Sequence, residues 1–277
     1  DRNYLSKNYI NINISNLNSK FSSSTKEYCK NIIKKSEKMN FDIIEIHNRP
    51  KVFKYLSPKL KSKYILYFHN DPLNMKGSIS KNERVSLLKD LDKIIFVSKW
   101  VRNRFFENID KKLIHKTEIV YPSINKIKKF PKKEKKIVFV GKLNESKGYD
   151  IYEKAITKIL DEFIDWKAYS IGDEERKRPI IEHKNHFELG FFKHKEVLNF
   201  LAKSEIAVVP SKWEEPFGRT SLESASRGCA TIISKKGGLP ETTDNSIILK
   251  KLNHQELYKQ LKNLITNSDK RKSIQIN

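Results

Sequence analysis

Short apolar runs alternate with polar stretches of helical spacing along almost the whole chain. The apolar positions predict strands at 42–46, 64–68, 93–97 and 118–121, with helices at 24–39, 83–91 and 99–107. A Lys-rich run at 126–136, with Pro131 inside it, interrupts the pattern and reads as a linker. The alternation then restarts, with strands at 137–140, 166–171, 186–189, 205–209 and 230–233. Helices are predicted at 149–159 and 195–203, and a further one runs from the turn at Gly218 to Gly228. Strands alternating with helices mean parallel sheets covered on both faces. The fold class is therefore α/β, with one domain over 1–125 and a second over 137–277.

A chain of 277 residues can hold two domains, each with its own core, and both read as Rossmann-like. Hydrophobic residues make up 38%, yet no uninterrupted apolar run reaches the ~20 residues that span a bilayer. The first residues are polar and Asn-rich, without the apolar segment of a secretory leader. Two cysteines, Cys29 and Cys229, fit neither a disulfide framework nor a zinc site, so a reducing, cytoplasmic setting is expected. Cys229 reads as a small buried hydrophobe. Glycine is unevenly placed: the first is Gly77, and eight of the nine lie at or after Gly141. A Rossmann-like half ordinarily has a glycine-rich turn after its first strand. With no glycine before Gly77 and Asp1 at the start, an incomplete first domain is expected.

The net charge of +23 divides into +16 over residues 1–130 and +7 over 131–277. Two explanations stand side by side. One is a lysine-rich composition, since Lys, Asn and Ile are all abundant. The other is attraction to an anionic partner: a membrane surface, a phosphorylated lipid acceptor or nucleic acid. The stretch 51–63 mixes lysines with Val52, Phe53, Tyr55 and Leu56. It reads as a short amphipathic helix suited to anionic lipid, its length limited by Pro58.

The densest chemistry follows the strand at 205–209. Glu215 falls in the turn there, and Glu223 lies eight positions on, about two turns into the helix. Gly218 lets the chain approach a ligand closely where the helix N–H groups face outward. A carboxylate on each side of a helix N-terminus can hold hydroxyls while the N–H groups hold an anion, which suits a sugar nucleotide. Two glutamates at an arbitrary spacing would instead be solvated charges. Gly141, Lys142 and Lys147 follow the strand at 137–140, and two lysines across a turn that opens a helix suit a diphosphate. A Walker A loop is excluded, because its glycine would fall on Lys136 and Leu143 follows Lys142. Gly172 and Asp173 end one strand; Gly190, Phe191 and Phe192 end another. One of the two phenylalanines is expected in the core. The turn from Gly237 to Glu241 reads as backbone shape. His47 and His69 end strands of the first half. A lone histidine there is read first as ordering a loop through a hydrogen bond.

The string Glu215, Pro216, Phe217, Gly218 with Glu223 resembles the signature of retaining glycosyltransferases of the GT-B fold, family 4. The turns at Gly141–Lys147, at Gly172, at Gly190 and at Gly237 match the family as well, so five motifs stand in family order across about 41–245. Lys142 departs from the arginine usual there, losing bidentate geometry while keeping the charge. Ser98, Lys99 and Trp100 form a turn typical of the family and are read as structural.

The resemblance implies two Rossmann-like domains facing a cleft, the first incomplete, with the family's closing helix absent from 271–277. It implies a nucleotide-diphosphate sugar as donor. Glu223 would take ribose hydroxyls and Glu215 sugar hydroxyls, while Lys142, Lys147 and the helix N-terminus after Phe217 meet the departing diphosphate. Gly141, Gly172, Phe191, Phe192, Phe217 and Gly218 would line the donor, and His69 would face the sugar or the acceptor. Transfer would run with retention to a hydroxyl of a glycan or lipid-linked acceptor, in lipopolysaccharide or other cell-surface glycan synthesis. The enzyme would be cytoplasmic and peripheral on the inner face of the membrane. No Asp-x-Asp stands at a strand end, so neither a metal nor another cofactor is expected. Nothing points to an activated water, so Glu215 and Glu223 are not read as a hydrolase pair. Two rival readings are a nucleic-acid binder and a non-catalytic sugar-nucleotide-binding protein. Against the first stand dispersed basic residues and the lack of zinc spacing, an RNP-like string or a helix-turn-helix pattern.

Overall fold

The structure, a computed structural model, describes residues 24–36, 39–125, 127, 130–176 and 178–276. The expectation of missing N-terminal elements, and Lys126, Lys128 and Lys129 of the predicted linker, lie outside the described residues. By internal contacts the chain forms two units: Asp1–Val97 with Val101–Val120, and Ser98–Trp100 with Tyr121–Asn277.

The first unit contains α1 (Ser24–Ser36), β1 (Ile43–His47), α2 (Pro50–Leu56), β2 (Lys63–Phe68), α3 (Lys81–Asp90), β3 (Lys93–Phe96), most of α4 (Lys99–Phe105) and β4 (Thr117–Ile119). Its four strands are parallel, in the order β1-β2-β3-β4. Along β2, Tyr64, Leu66 and Phe68 are buried, while Ile65 and Tyr67 on the other face are only half-covered. The buried face meets Phe96 and Phe105, whose rings lie 5.2–5.6 Å from each other and from Phe68. A capping box starts α3: Ser80 Oγ accepts from Glu83 N–H, and the Glu83 carboxylate accepts from Ser80 N–H. Arg84 is buried and donates to the carbonyls of Ser78, Ile79, Phe105 and Glu107, which ties α3 to the end of α4.

The helix expected at 51–63 ends at Leu56, before Pro58. Its apolar residues Val52, Phe53 and Leu56 are buried. This corrects the lipid-contact reading of the segment, because the face meant for the membrane is already used in the core.

The second unit contains β5 (Glu134–Val140), α5 (Tyr149–Glu162), β6 (Lys167–Ile171), β7 (His186–Gly190), α6 (His194–Lys203), β8 (Ser204–Val209), α7 (Arg219–Ser226), β9 (Ala230–Ile233), β10 (Ile247–Ile248), α8 (His254–Thr266) and α9 (Ser268–Ile276). The six strands are parallel, in the order β10-β9-β8-β5-β6-β7. Consecutive buried residues in β5 (Ile137, Val138, Phe139), β8 (Ile206, Ala207, Val208) and β9 (all four) show that both faces are covered, as parallel sheets require. On one face α5 and α8 supply Ile156, Ile159, Leu160, Leu257, Leu261 and Leu264. On the other, α6 places Val197 and Leu201 with Cys229 against Val138 and Ala207. The Cys229 thiol donates to the carbonyl of Leu201 at 3.1 Å, and burial pushes its pKa up to about 12. Lys133 reaches in beside it and donates to the carbonyls of Leu201 and Arg227, near the C-terminal ends of α6 and α7. Residues 268–276 form α9, whose Arg271 pairs with Glu205 of β8 in the same unit at 3.1 Å. Among the described residues no helix is long and apolar enough to cross a membrane.

Candidate functional site

From β5 the chain proceeds to β6 on one side, whereas β8 returns to lie on its other side. The C-terminal ends of β5 and β8 therefore form the topological switch point of the sheet, where open α/β folds bind ligands. A cavity of about 130 Å³ lies there, lined by Gly141, Lys147, Ser211, Glu215, Gly218, Arg219 and Thr220 among others. Its volume corresponds to roughly four water molecules, enough for a compact polar group.

Lys147 and Glu215 meet inside it, Nζ to Oε1 at 2.6 Å. The same Oε1 accepts from the buried hydroxyl of Ser211 at 2.9 Å. Glu215 is thus fixed at one oxygen, while the Lys147 ammonium has spent one of its three donors. Asn144 sets the Lys147 turn, its Oδ1 accepting from Lys147 N–H at 3.2 Å. The Asn144 amide donates in turn to Glu174, which the Arg176 guanidinium and that amide hold at a pKa of about 2.

The N-terminus of α7 completes the cavity. No side chain caps it, and Arg219 stands at its first position. Gly218 has φ +101°, and a Cβ there would lie 2.3 Å from Leu239 Cδ2, so only glycine fits. The Glu215 turn is in turn clasped by the Gly237 loop: Gly238 N–H donates to Glu215 O at 2.6 Å, and a Cβ on Gly237 would overlap that carbonyl. Glu241 of the same loop accepts from the backbone N–H groups of Lys99 and Trp100, and Ser98 Oγ donates to Pro216 O. Phe217, expected to line the donor, is instead buried beside Tyr121 and does not line the cavity.

Glu223 is also buried, yet it does not line the cavity. Its Oε1 meets His194 Nε2 at 3.0 Å and Arg219 at 3.6 Å. Gly141 and Gly172 lie against each other, since a Cβ on Gly172 would strike the Gly141 carbonyl. Gly172 N–H donates to Gly190 O at 2.8 Å, so the ends of β5, β6 and β7 form one continuous rim. Of the two phenylalanines beyond Gly190, Phe191 is 76% exposed, whereas Phe192 packs on the core against Phe200. Lys142 is exposed on the same rim.

The first unit holds a separate group. His47 ends β1 and pairs in register with Tyr67 of β2, which brings His69 alongside. His47 Nδ1 and His69 Nε2 are 2.8 Å apart. The Tyr67 ring lies nearly parallel to both imidazoles, its centre 4.6 Å from His69 and 5.3 Å from His47. Its hydroxyl donates to Val120 O. Asn48, at φ +54°, accepts from His69 N–H through Oδ1 at 2.7 Å. Partial burial, then the charge of His47, lowers the His69 pKa, so the ring is neutral at neutral pH.

A family model for glycosyl transferases group 1 matches residues 121–277, more than half of the chain. The chain belongs to that family. A glycosyltransferase of Methanocaldococcus jannaschii, named as uncharacterized, is 30% identical over 231 residues, which cover 79% of this chain and 63% of the relative. The chain thus spans just under two thirds of that relative's length. Spore coat protein SA of Bacillus subtilis is 24% identical over 279 residues, covering 86% of the chain and 72% of the relative. Anabaena HepE, solved with UDP and glucose, superposes with a TM-score of 0.70 at 15% identity, over 91% of this chain and 75% of that one. At such identity the likeness carries the fold alone, and that fold is GT-B.

The Glu215–Glu223 turn and helix stand out in the sequence, but three contributors to the site were missed there. Arg219 was open to recognition as a cation directly after the glycine that starts α7. Ser211 carried only the weak signal of closing a strand. His194 lies 29 residues from Glu223, and no local pattern joins them.

Proposed function

We propose that this chain is a retaining glycosyltransferase that moves a hexosyl-type sugar from a nucleotide-diphosphate donor to an acceptor hydroxyl. The observation that carries it is the cavity at the β5–β8 switch point, where Lys147, Glu215, Arg219 and an uncapped helix N-terminus converge. Cations and N–H dipoles at one spot suit the charge that grows on a departing diphosphate, and they need no metal to act. Glu215, held by Lys147 and Ser211, is placed for sugar hydroxyls. Glu223 takes the ribose hydroxyls with His194 and Arg219 behind it. Lys142 adds charge at the rim, and exposed Phe191 offers a face to the base. The acceptor hydroxyl belongs to the first unit, where His69 hydrogen-bonds it. UDP is the first donor nucleotide to test, since HepE was solved with UDP and glucose. The acceptor is a glycan or lipid-linked glycan of the cell surface, and the basic charge draws the protein to anionic membrane.

The test is a titration of UDP, GDP and a short oligonucleotide at two salt concentrations, followed by incubation with UDP-sugars. Saturable nucleotide-diphosphate binding that survives salt, with release of UDP on adding acceptor, supports the assignment. Oligonucleotide binding that collapses with salt, and no nucleotide binding, would overturn it.

A further inference from the structure

The His47–His69 contact has a defined direction. The two ring centres are 5.1 Å apart and the rings are tilted by 17°. That is about the largest centre separation that a 2.8 Å contact between ring nitrogens permits. The hydrogen bond therefore runs along the line joining the centres, in the plane of both rings, and the pair is not a face-to-face stack. In such a bond one nitrogen must carry the proton and the other a lone pair.

Glu45 biases which. Its Oε2 lies 3.5 Å from His47 Nε2, on the side of the ring away from His69. A carboxylate there favours the proton on His47 Nε2. His47 Nδ1 is then left as a lone pair, which accepts from His69 Nε2–H. His69 in turn is left with Nδ1 as its basic nitrogen. Parallel pairing of β1 with β2 builds the chain, because it sets His47 opposite Tyr67 and hence beside His69. The Tyr67 ring, anchored through its hydroxyl to Val120 O, is the floor that keeps both imidazoles coplanar.

We propose that Glu45 and His47 are positioning residues that hold His69 in the Nε2–H tautomer, so that Nδ1 is the nitrogen offered to a hydroxyl. The same Asp–His logic that fixes one imidazole in hydrolytic triads is here extended by a second ring. The assignment rests on the role given to His69 in the proposed transfer, yet its first readout does not depend on transfer.

The experiment is long-range nitrogen–proton NMR of the 15N-labelled full chain without ligand. The expected spectrum has His69 Nε2 protonated and Nδ1 unprotonated. His47→Asn, which leaves an acceptor near the position of Nδ1, should keep that tautomer. His47→Leu should give a mixture, with UDP affinity unchanged in both as the check on folding. Turnover should fall by up to about 100-fold in His47→Leu and recover most of the way in His47→Asn, as misplacing a reacting group does. A His69 that is Nδ1–H in the parent, or whose tautomer is the same in His47→Leu, would overturn the proposal. If the tautomers behave as expected and His69→Gln turns over normally, the relay stands and the function given to His69 fails.

Discussion

The two units hold their candidate polar groups by opposite means. In the second, Lys147 and Glu215 are a fixed-charge pair locked by glycine turns that admit no other residue. In the first, His47 and His69 are joined by one hydrogen bond between partly exposed rings on an aromatic floor. Fixed charge in a tight turn is suited to gripping an anion that arrives already charged. An imidazole whose tautomer is held by its neighbours is suited to meeting a hydroxyl at a defined nitrogen. Under the proposed function, the difference means that gripping the donor and meeting the acceptor hydroxyl fall to two sheets of the same class.

The sharpest way to break that comparison is to remove His69. His69→Gln should lower turnover about 100-fold or more, the scale of a positioned acid–base group, while UDP affinity measured by calorimetry stays at the parent value. A parallel loss of UDP affinity would show that the division of labour is not real.

Next in size is Lys147→Ala. It removes a charge-assisted partner of roughly 1.5–3 kcal/mol, so UDP affinity should drop tenfold or more while uridine binds as before. EDTA should leave UDP binding unchanged. A strict requirement for magnesium would transfer the phosphate role from these cations to a metal.

Glu223→Gln follows, with about a tenfold loss for UDP and less for inorganic diphosphate, because one charged hydrogen bond to ribose weakens. Equal affinity for UDP in the variant would remove Glu223 from the site.

The smallest effect concerns pH. Because the folded His69 pKa lies below the ordinary 6.5, the unfolded chain binds more protons through that range. The resulting stability is complete above pH 6.5 and is lost as pH falls through that value towards the folded pKa. The parent Tm should therefore decline more steeply on acidification than that of His69→Gln. Identical slopes would mean that the ring titrates as it does in the unfolded chain.

Much of the second unit was readable in advance for a physical reason. Parallel strands buried on both faces write themselves as unbroken apolar runs, and 137–140, 205–209 and 230–233 are such runs. Gly218 and Gly237 were visible because turns of positive φ leave glycine no substitute. β10, α8 and α9 escaped prediction: β10 is two residues long, and α9 carries few apolar positions. The pairings were hidden more deeply. Lys147 and Glu215 are 68 residues apart, and which nitrogen of His47 faces His69 depends on strand register and side-chain rotation. The apolar stripe of α2 was legible too, but not what it would cover: Val52 and Leu56 look the same whether a core or a lipid receives them.

Lys133 carries a consequence for the order in which the chain can be assembled. Its ammonium is satisfied by Leu201 O, 68 residues later, and by Arg227 O, 94 residues later. At a synthesis rate of about 5–20 residues per second, several seconds pass between the emergence of this lysine and that of its last carbonyl. Half-buried, the amine is drawn from water most favourably once both carbonyls are there to receive it. The amine just ahead of the unit's first strand thus draws on acceptors that only its later helices supply.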